Sequence, residues 1–139
     1  MGNRAVITDR AGSFGIYLHW NGGRDSVSAF LLYASMRGFR YPEEDNYGWA
    51  RLCQVICNFM GGSLSVGIGP CSELDCDNGD NGVYVIEKWR IVGRRYFDGA
   101  EQDIIGLREM VKEIDRRQPE TERLGAEAVD RWMDERCNP

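Results

Sequence analysis

The segment Ile16-Tyr17-Leu18-His19-Trp20-Asn21-Gly22-Gly23-Arg24-Asp25-Ser26-Val27 constrains the fold most, because it packs a strand end, a glycine turn and a helix start into one short stretch. Tyr17 to Trp20 carries β-forming side chains, Asn21-Gly22-Gly23 permits positive φ, and Asp25 or Ser26 is placed to cap a helix beginning near Val27. A loop that feeds a helix N-terminus leaves backbone N–H groups free to meet an anion. Arg24 adds a planar, bidentate donor there, so a ligand site is expected in this segment.

The rest of the chain extends this beginning. Arg4 to Asp9 reads as a first strand and Phe14 to Trp20 as a second, joined as a hairpin. Ser26 to Arg37 carries Val27, Phe30, Leu31 and Ala34 at helical spacing and ends at Gly38. A second helix starts at Asp45 or Asn46, carries Trp49, Leu52, Cys53, Ile56 and Met60, and stops at Gly61-Gly62. Leu64 to Ile68 alternates as a strand, Gly69 to Asn81 is a polar loop, and Val83 to Tyr96 resumes β character, with Gly93 at a bulge or bend. Two helices follow, Glu101 to Arg117 and Glu120 to Arg136. The order β-β-α-α-β-β-α-α predicts an α+β fold, an antiparallel sheet with paired helices. Residues 1–97 form the α+β core with the ligand site. Residues 98–139 form an acidic helical pair, either a hairpin on the same domain or an oligomerisation arm.

A chain of 139 residues, 42% hydrophobic, buries one core. No apolar run is long enough to span a bilayer and the N-terminus is too polar to begin a secretory signal, so a cytoplasmic protein without membrane contact is expected. The cysteines (Cys53, Cys57, Cys71, Cys76 and Cys137) are odd in number and read as free thiols. With one histidine and no CxxC spacing, no metal is expected; Cys53 and Cys57 read as buried small hydrophobes. The net charge of −5 falls entirely after residue 97, where 7 basic residues face 12 acidic ones. A neutral core with an acidic tail argues against double-stranded DNA as a partner.

Four clusters carry chemistry. In the first, Trp20 offers a stacking surface, Asn21 reads amide or base edges, and Arg24 with the helix N-terminus holds phosphate or carboxylate. The plainer reading is a tight turn, with Asp25 and Ser26 as caps and Arg24 in an ion pair. His19, Asp25 and Ser26 also spell a triad, but there is no GxSxG elbow and Ser26 already has a capping task. The glycines fit neither GxGxxG nor GxxxxGK[ST], so no dinucleotide cofactor is expected. In the second cluster, Tyr47 and Arg51 share a helix face and Trp49 lies on another, in the core. The third, Asp75 to Gly82, has alternating oxygen ligands but breaks the EF-hand pattern at Asp80 and Ile86; it reads as a polar loop that can serve as a lid. The fourth places Lys88, Arg90 and Arg94 on one strand face, with Trp89, Ile91 and Gly93 on the other.

At His19 to Val27, with Tyr47-Gly48-Trp49-Ala50-Arg51-Leu52 and Asp80-Asn81-Gly82-Val83-Tyr84, the chain resembles small proteins encoded by phages and prophages of Gram-positive bacteria. The likeness covers roughly residues 2–95 and carries no activity over residue by residue. It implies an anti-defence factor acting in the host cytoplasm, one class of which sequesters nucleotide immune signals in oligomeric pockets. The expectation is therefore a non-catalytic, homo-oligomeric binder of a small phosphorylated ligand, such as a cyclic nucleotide or an ADP-ribose derivative. Its site would draw on His19, Trp20, Asn21, Arg24, Asp25, Ser26, Tyr47, Arg51 and Arg90. Trp20 and Tyr47 would stack, and Arg24 and Arg51 would hold phosphate. The alternative is an inhibitor that binds a host defence or CRISPR enzyme through the acidic C-terminal helices, and a third is a small hydrolase or nuclease using His19.

Overall fold

Every residue of Ala5-Val6-Ile7-Thr8 is buried, the mark of a strand covered on both faces. In the computed structural model, which describes residues 2–62 and 65–137, this strand β1 (Ala5–Thr8) lies at the middle of a five-stranded sheet. The strands β2 (Gly15–Leu18), β3 (Val66–Gly69), β4 (Val83–Glu87) and β5 (Arg90–Arg95) complete it in the order β3-β2-β1-β4-β5. Four helices accompany them: α1 (Arg24–Met36), α2 (Asn46–Met60), α3 (Leu107–Arg116) and α4 (Ala126–Cys137).

The fold is α+β, as the sequence predicts, but the sheet is mixed and not antiparallel throughout. β1 pairs with β4 in parallel, Val6 opposite Val83 and Thr8 opposite Val85, while the other three pairings are antiparallel. A parallel pair needs a long crossover, and the stretch from β2 through α1, α2 and β3 to the loop after it supplies one. The region from Val83 to Tyr96 also differs from the sequence reading. It is two strands joined by a two-residue turn at Lys88-Trp89, so the second β region holds three strands where two were expected. The register of this hairpin slips between Val85 and Ile86, which makes Val92 the extra residue of a bulge beside Gly93.

The two sheet faces are covered differently. Ala5, Ile7, Ile16, Leu18, Tyr84 and Ile86 face the helices in the main core. Val6, Val83 and Val85 face the opposite way and pack under Cys71, Leu74 and Cys76, so the polar loop is the cover of this second face. Arg4 ties that loop down. Its Nε and its backbone N–H both donate to Asp80 Oδ2, at 2.8 and 3.0 Å, and these bonds hold the Asp80 carboxyl below its ordinary range.

The C-terminal helices belong to the same core, to which they contribute Val111, Ile114, Val129 and Met133. The first begins at Leu107 and not at Glu101, because Gly106 takes a left-handed conformation with φ +74° that breaks the pattern begun at Ile104. The segment Glu120–Glu122 is a single 3₁₀ turn, and α4 begins only after Gly125. Asp115 explains the interruption. Its buried carboxylate accepts from Tyr33 Oη at 2.5 Å, from Leu124 N at 2.8 Å and from Gly125 N at 2.9 Å, binding α1, α3 and the start of α4 at one point. Burial and then this carboxylate hold the Tyr33 phenol well above its ordinary range.

Asp115→Ala removes the shared acceptor of one buried hydroxyl and two partly buried backbone donors and is expected to cost about 3 kcal/mol, with Tyr33→Phe costing about 1, both read by urea denaturation. Because the Asp80 carboxyl titrates lower in the folded chain, its contribution is complete above the ordinary carboxylate range and is lost as pH falls through the depressed value. Asp80→Asn should therefore lower the Tm at neutral pH, and the gap to the wild-type chain should close on acidification; a pH-independent gap would contradict this assignment.

Candidate functional site

The turn from β2 into α1 is built for close approach. Asn21 takes the positive φ of +58°, whereas Gly22 is needed for space: a Cβ there would lie 2.5 Å from Asn3 O and 2.8 Å from Ala5 Cβ. The Tyr84 hydroxyl, driven up to about 12 by burial, donates to Gly22 O at 2.8 Å and fixes the turn against β4. Gly23 is the residue before the helix, with no side-chain cap of its own. Asp25 and Ser26 do not cap it. Asp25 Oδ1 accepts from the adjacent Ser26 N, and Ser26 is buried with its Oγ 3.4 Å from Asn21 Nδ2. The donor at Asp25 N is met from a distant part of the chain, by Gln102 Oε1 at 3.3 Å.

The residue beside Gln102 carries the main electrostatic link. The Glu101 carboxylate accepts from Arg24 Nη1 at 2.6 Å through one oxygen and from Arg94 Nη1 through the other. Arg94 is spent as structure. Its guanidinium carbon lies 3.8 Å from the Tyr84 ring centroid and 3.9 Å from that of Phe97, and its other nitrogens donate to Val83 O and Asn81 O. Arg24 keeps 27% of its side chain exposed and reaches a second environment as well.

That environment is a groove of about 500 Å³ between one flank of α1 and the edge strand β5. Arg24, Lys88 and Arg90 line it without any carboxylate, and Ser28, Ser35 and Tyr41 add hydroxyls. Leu31, Leu32, Ile91 and Leu107 supply apolar surface between the charges. The groove is elongated, since Arg24 to Ser35 spans about 16 Å at the helical rise per residue. Arg24 stands at one end. Lys88 and Arg90 stand at the other, where Glu43 accepts from Lys88 N at 3.0 Å and Trp89 Nε1 donates to Phe39 O at 3.0 Å, just beyond the end of α1. Among the described residues neither Lys88 nor Arg90 takes part in an ion pair, in contrast to Arg24 and Arg94.

The turn that presents these two cations is strained. Lys88 at φ +50° and Trp89 at φ +60° form a two-residue hairpin turn of the type that Asn-Gly makes without cost. The buried Trp89 ring and its hydrogen bond hold the turn in place. Strain of this kind persists where the surroundings enforce it, and it collects at functional positions. The turn also corrects the sequence reading of a single strand, because Lys88 and Trp89 sit at the reversal and Arg94 points into the protein.

The remaining expected site residues lie elsewhere. His19 Nδ1 meets Tyr17 Oη at 3.0 Å, and its ring packs edge-on against Trp20, which is 45% exposed and does not line the groove. His19, Asp25 and Ser26 are thus engaged separately and form no triad. Tyr47 is exposed, with the guanidinium carbons of Arg40 and Arg51 at 5.9 and 6.0 Å from its ring centroid, and Arg51 borders two other cavities along α2. Trp49 is core, against Phe14. Cys57 is exposed, which departs from the reading as a buried hydrophobe, while burial and then Cys57 itself push the half-buried Cys53 thiol up to about 11. Of the nine expected residues the groove unites Arg24 and Arg90, and it adds Lys88, Tyr41, Ser28 and Ser35. The spacing of positions 24, 28, 31, 32 and 35 on one helix flank was the available signal for the serines.

Comparison of the chain with family models, with curated proteins and with solved structures gives no match.

Lys88→Asn places the favoured residue at the first position of this turn, and is expected to stabilise the chain by about 0.5–1 kcal/mol in a denaturant titration. The same substitution removes a groove cation, so stability and anion affinity should move in opposite directions.

Proposed function

We propose that this chain is a non-catalytic binding protein for a small, elongated phosphorylated ligand, of the cyclic nucleotide or ADP-ribose class, held in the groove between α1 and β5. The observation that carries the reading is the lining itself, with three cations, no carboxylate among the described residues that line it, and an apolar middle between two charged ends. Arginine at both ends suits phosphate oxygens, to which it donates in bidentate fashion, and Lys88 adds a point charge. Tyr41, 36% exposed at the Lys88 end, offers a face for a base or sugar in the role expected of Trp20 and Tyr47. Among the described residues that line the groove, no nucleophile is paired with a base, which favours binding over turnover. The resemblance to phage and prophage proteins supports sequestration of a nucleotide signal in a host cytoplasm as the biological setting.

The competing reading, an inhibitor that acts through its acidic helices, has less to draw on. Asp130 and Asp134 are held by Arg108, Asp130 also by Lys112, Glu113 by Arg116 and Arg117, and Glu122 by Arg37, so much of the tail's negative charge is already matched.

Isothermal titration with ADP-ribose tests the proposal. Arg90→Ala, at an exposed position without an ion pair, should weaken binding about tenfold or more with the Tm unchanged. Tyr47→Ala, outside the groove, should leave affinity as it is. Equal affinity in the wild-type chain and Arg90→Ala would remove the groove from the account.

A further inference from the structure

We propose that the strap of residues 97–106 is a built-in competitor of the groove's ligand. Glu101 occupies Arg24 as a ligand phosphate would and must release it before that end of the groove can fill. The inference rests on the groove being the binding site and concerns how its Arg24 end is controlled.

Three observations carry it. First, among the described residues Arg24 is the one groove cation whose side chain is in an ion pair, and the carboxylate comes from the strap. Its other partner, Arg94, is fixed by two aromatic rings and two carbonyls, so Glu101 has a permanent anchor beside a shared one. Second, the strap also serves the start of α1, with Gln102 Oε1 on Asp25 N. A Cβ on Gly23 would lie 3.0 Å from that oxygen, so the bare glycine gives the amide room. Glu101 and Gln102 together place a charge and an acceptor where a bound phosphate would place its oxygens.

Third, little besides these polar contacts holds the strap. Residues 98–106 are exposed and without regular structure, and Ile104 and Ile105 remain 43% and 81% exposed. A segment that buries so little apolar surface opens at low free energy. Gly99 lies near one end of it and Gly106, already left-handed, forms the other. Exposed ion pairs are also weak and salt-sensitive, which suits a contact that a multiply charged ligand has to displace.

The test compares ADP-ribose binding to the wild-type chain, Glu101→Gln and Asp103→Asn by isothermal titration. Asp103→Asn removes a strap charge that has no ion-pair partner among the described residues, and so measures the general effect of net charge. Glu101→Gln should bind about tenfold more tightly than the wild-type chain, and Asp103→Asn about as the wild-type chain does. Adding Arg90→Ala to Glu101→Gln should weaken binding again, which locates the gain in the groove. Hydrogen exchange on the unmodified protein gives a second readout, in which ADP-ribose should speed amide exchange across residues 98–106. That readout decides the matter if Glu101→Gln fails to fold. If the wild-type chain binds in an Arg90-dependent way but Glu101→Gln gains nothing, or exchange across the strap slows on binding, the strap inference is overturned and the groove stands. If neither the wild-type chain nor folded Glu101→Gln binds, both fall.

Discussion

The parallel pairing of β1 with β4 is the constraint on which the rest of the structure depends. It sets Val6, Ile7 and Thr8 beside Val83, Tyr84 and Val85 at the centre of the sheet, and thereby places the β4–β5 hairpin alongside α1. Because β5 is then the edge strand, one flank of α1 faces it across an open groove, and Arg24 and Arg90, far apart in sequence, share one surface. The same pairing brings Tyr84 under Gly22 and Arg94 beside Glu101, which tethers the strap to the start of α1. An antiparallel placement of β4 would reverse the hairpin and separate these groups.

The electrostatics of the molecule divide into charges that are spent and charges that are free. Arg4, Arg94 and Arg108 are each committed to carboxylates or carbonyls, and they hold a loop, a strap and a helix pair respectively. Lys88 and Arg90 are presented to solvent by a turn whose backbone is costly for both of its residues. A chain selected for stability alone would place Asn-Gly there. That Lys-Trp stands there instead links backbone strain to the chemistry of the groove, and Arg24 lies between the two classes, shared by the strap and the groove.

Much of this was legible in the sequence, and the failures have physical causes. The α2 helix follows its rules closely: Asp45 accepts from Tyr47 N at its start and Gly61 is left-handed at its end. The β2–turn–α1 unit was legible as well, because strand propensity, glycine and helical spacing agree there. The Lys88-Trp89 reversal was hidden, since neither residue favours positive φ and the turn is held by burial of Trp89. The parallel pairing was hidden for the general reason that strand order follows from long-range packing. Apolar spacing from Ile104 suggested a longer α3, but Gly106 overrides it and leaves the isoleucines on the strap. Local chemistry marks Arg24 as a residue suited to an anion, whereas its intramolecular partner Glu101, remote in sequence, could come only from the fold.

The most direct test of the central claim, that the groove between α1 and β5 holds a phosphorylated ligand, is native mass spectrometry. The protein would be purified from bacterial cells and measured before and after denaturation, and again after incubation with a nucleotide extract. The account predicts a released or acquired molecule of nucleotide mass on the wild-type chain that is absent from an Arg24→Ala, Arg90→Ala double variant with an unchanged Tm. A chain that neither retains nor acquires such a molecule, or a double variant that binds it equally well, would contradict the account.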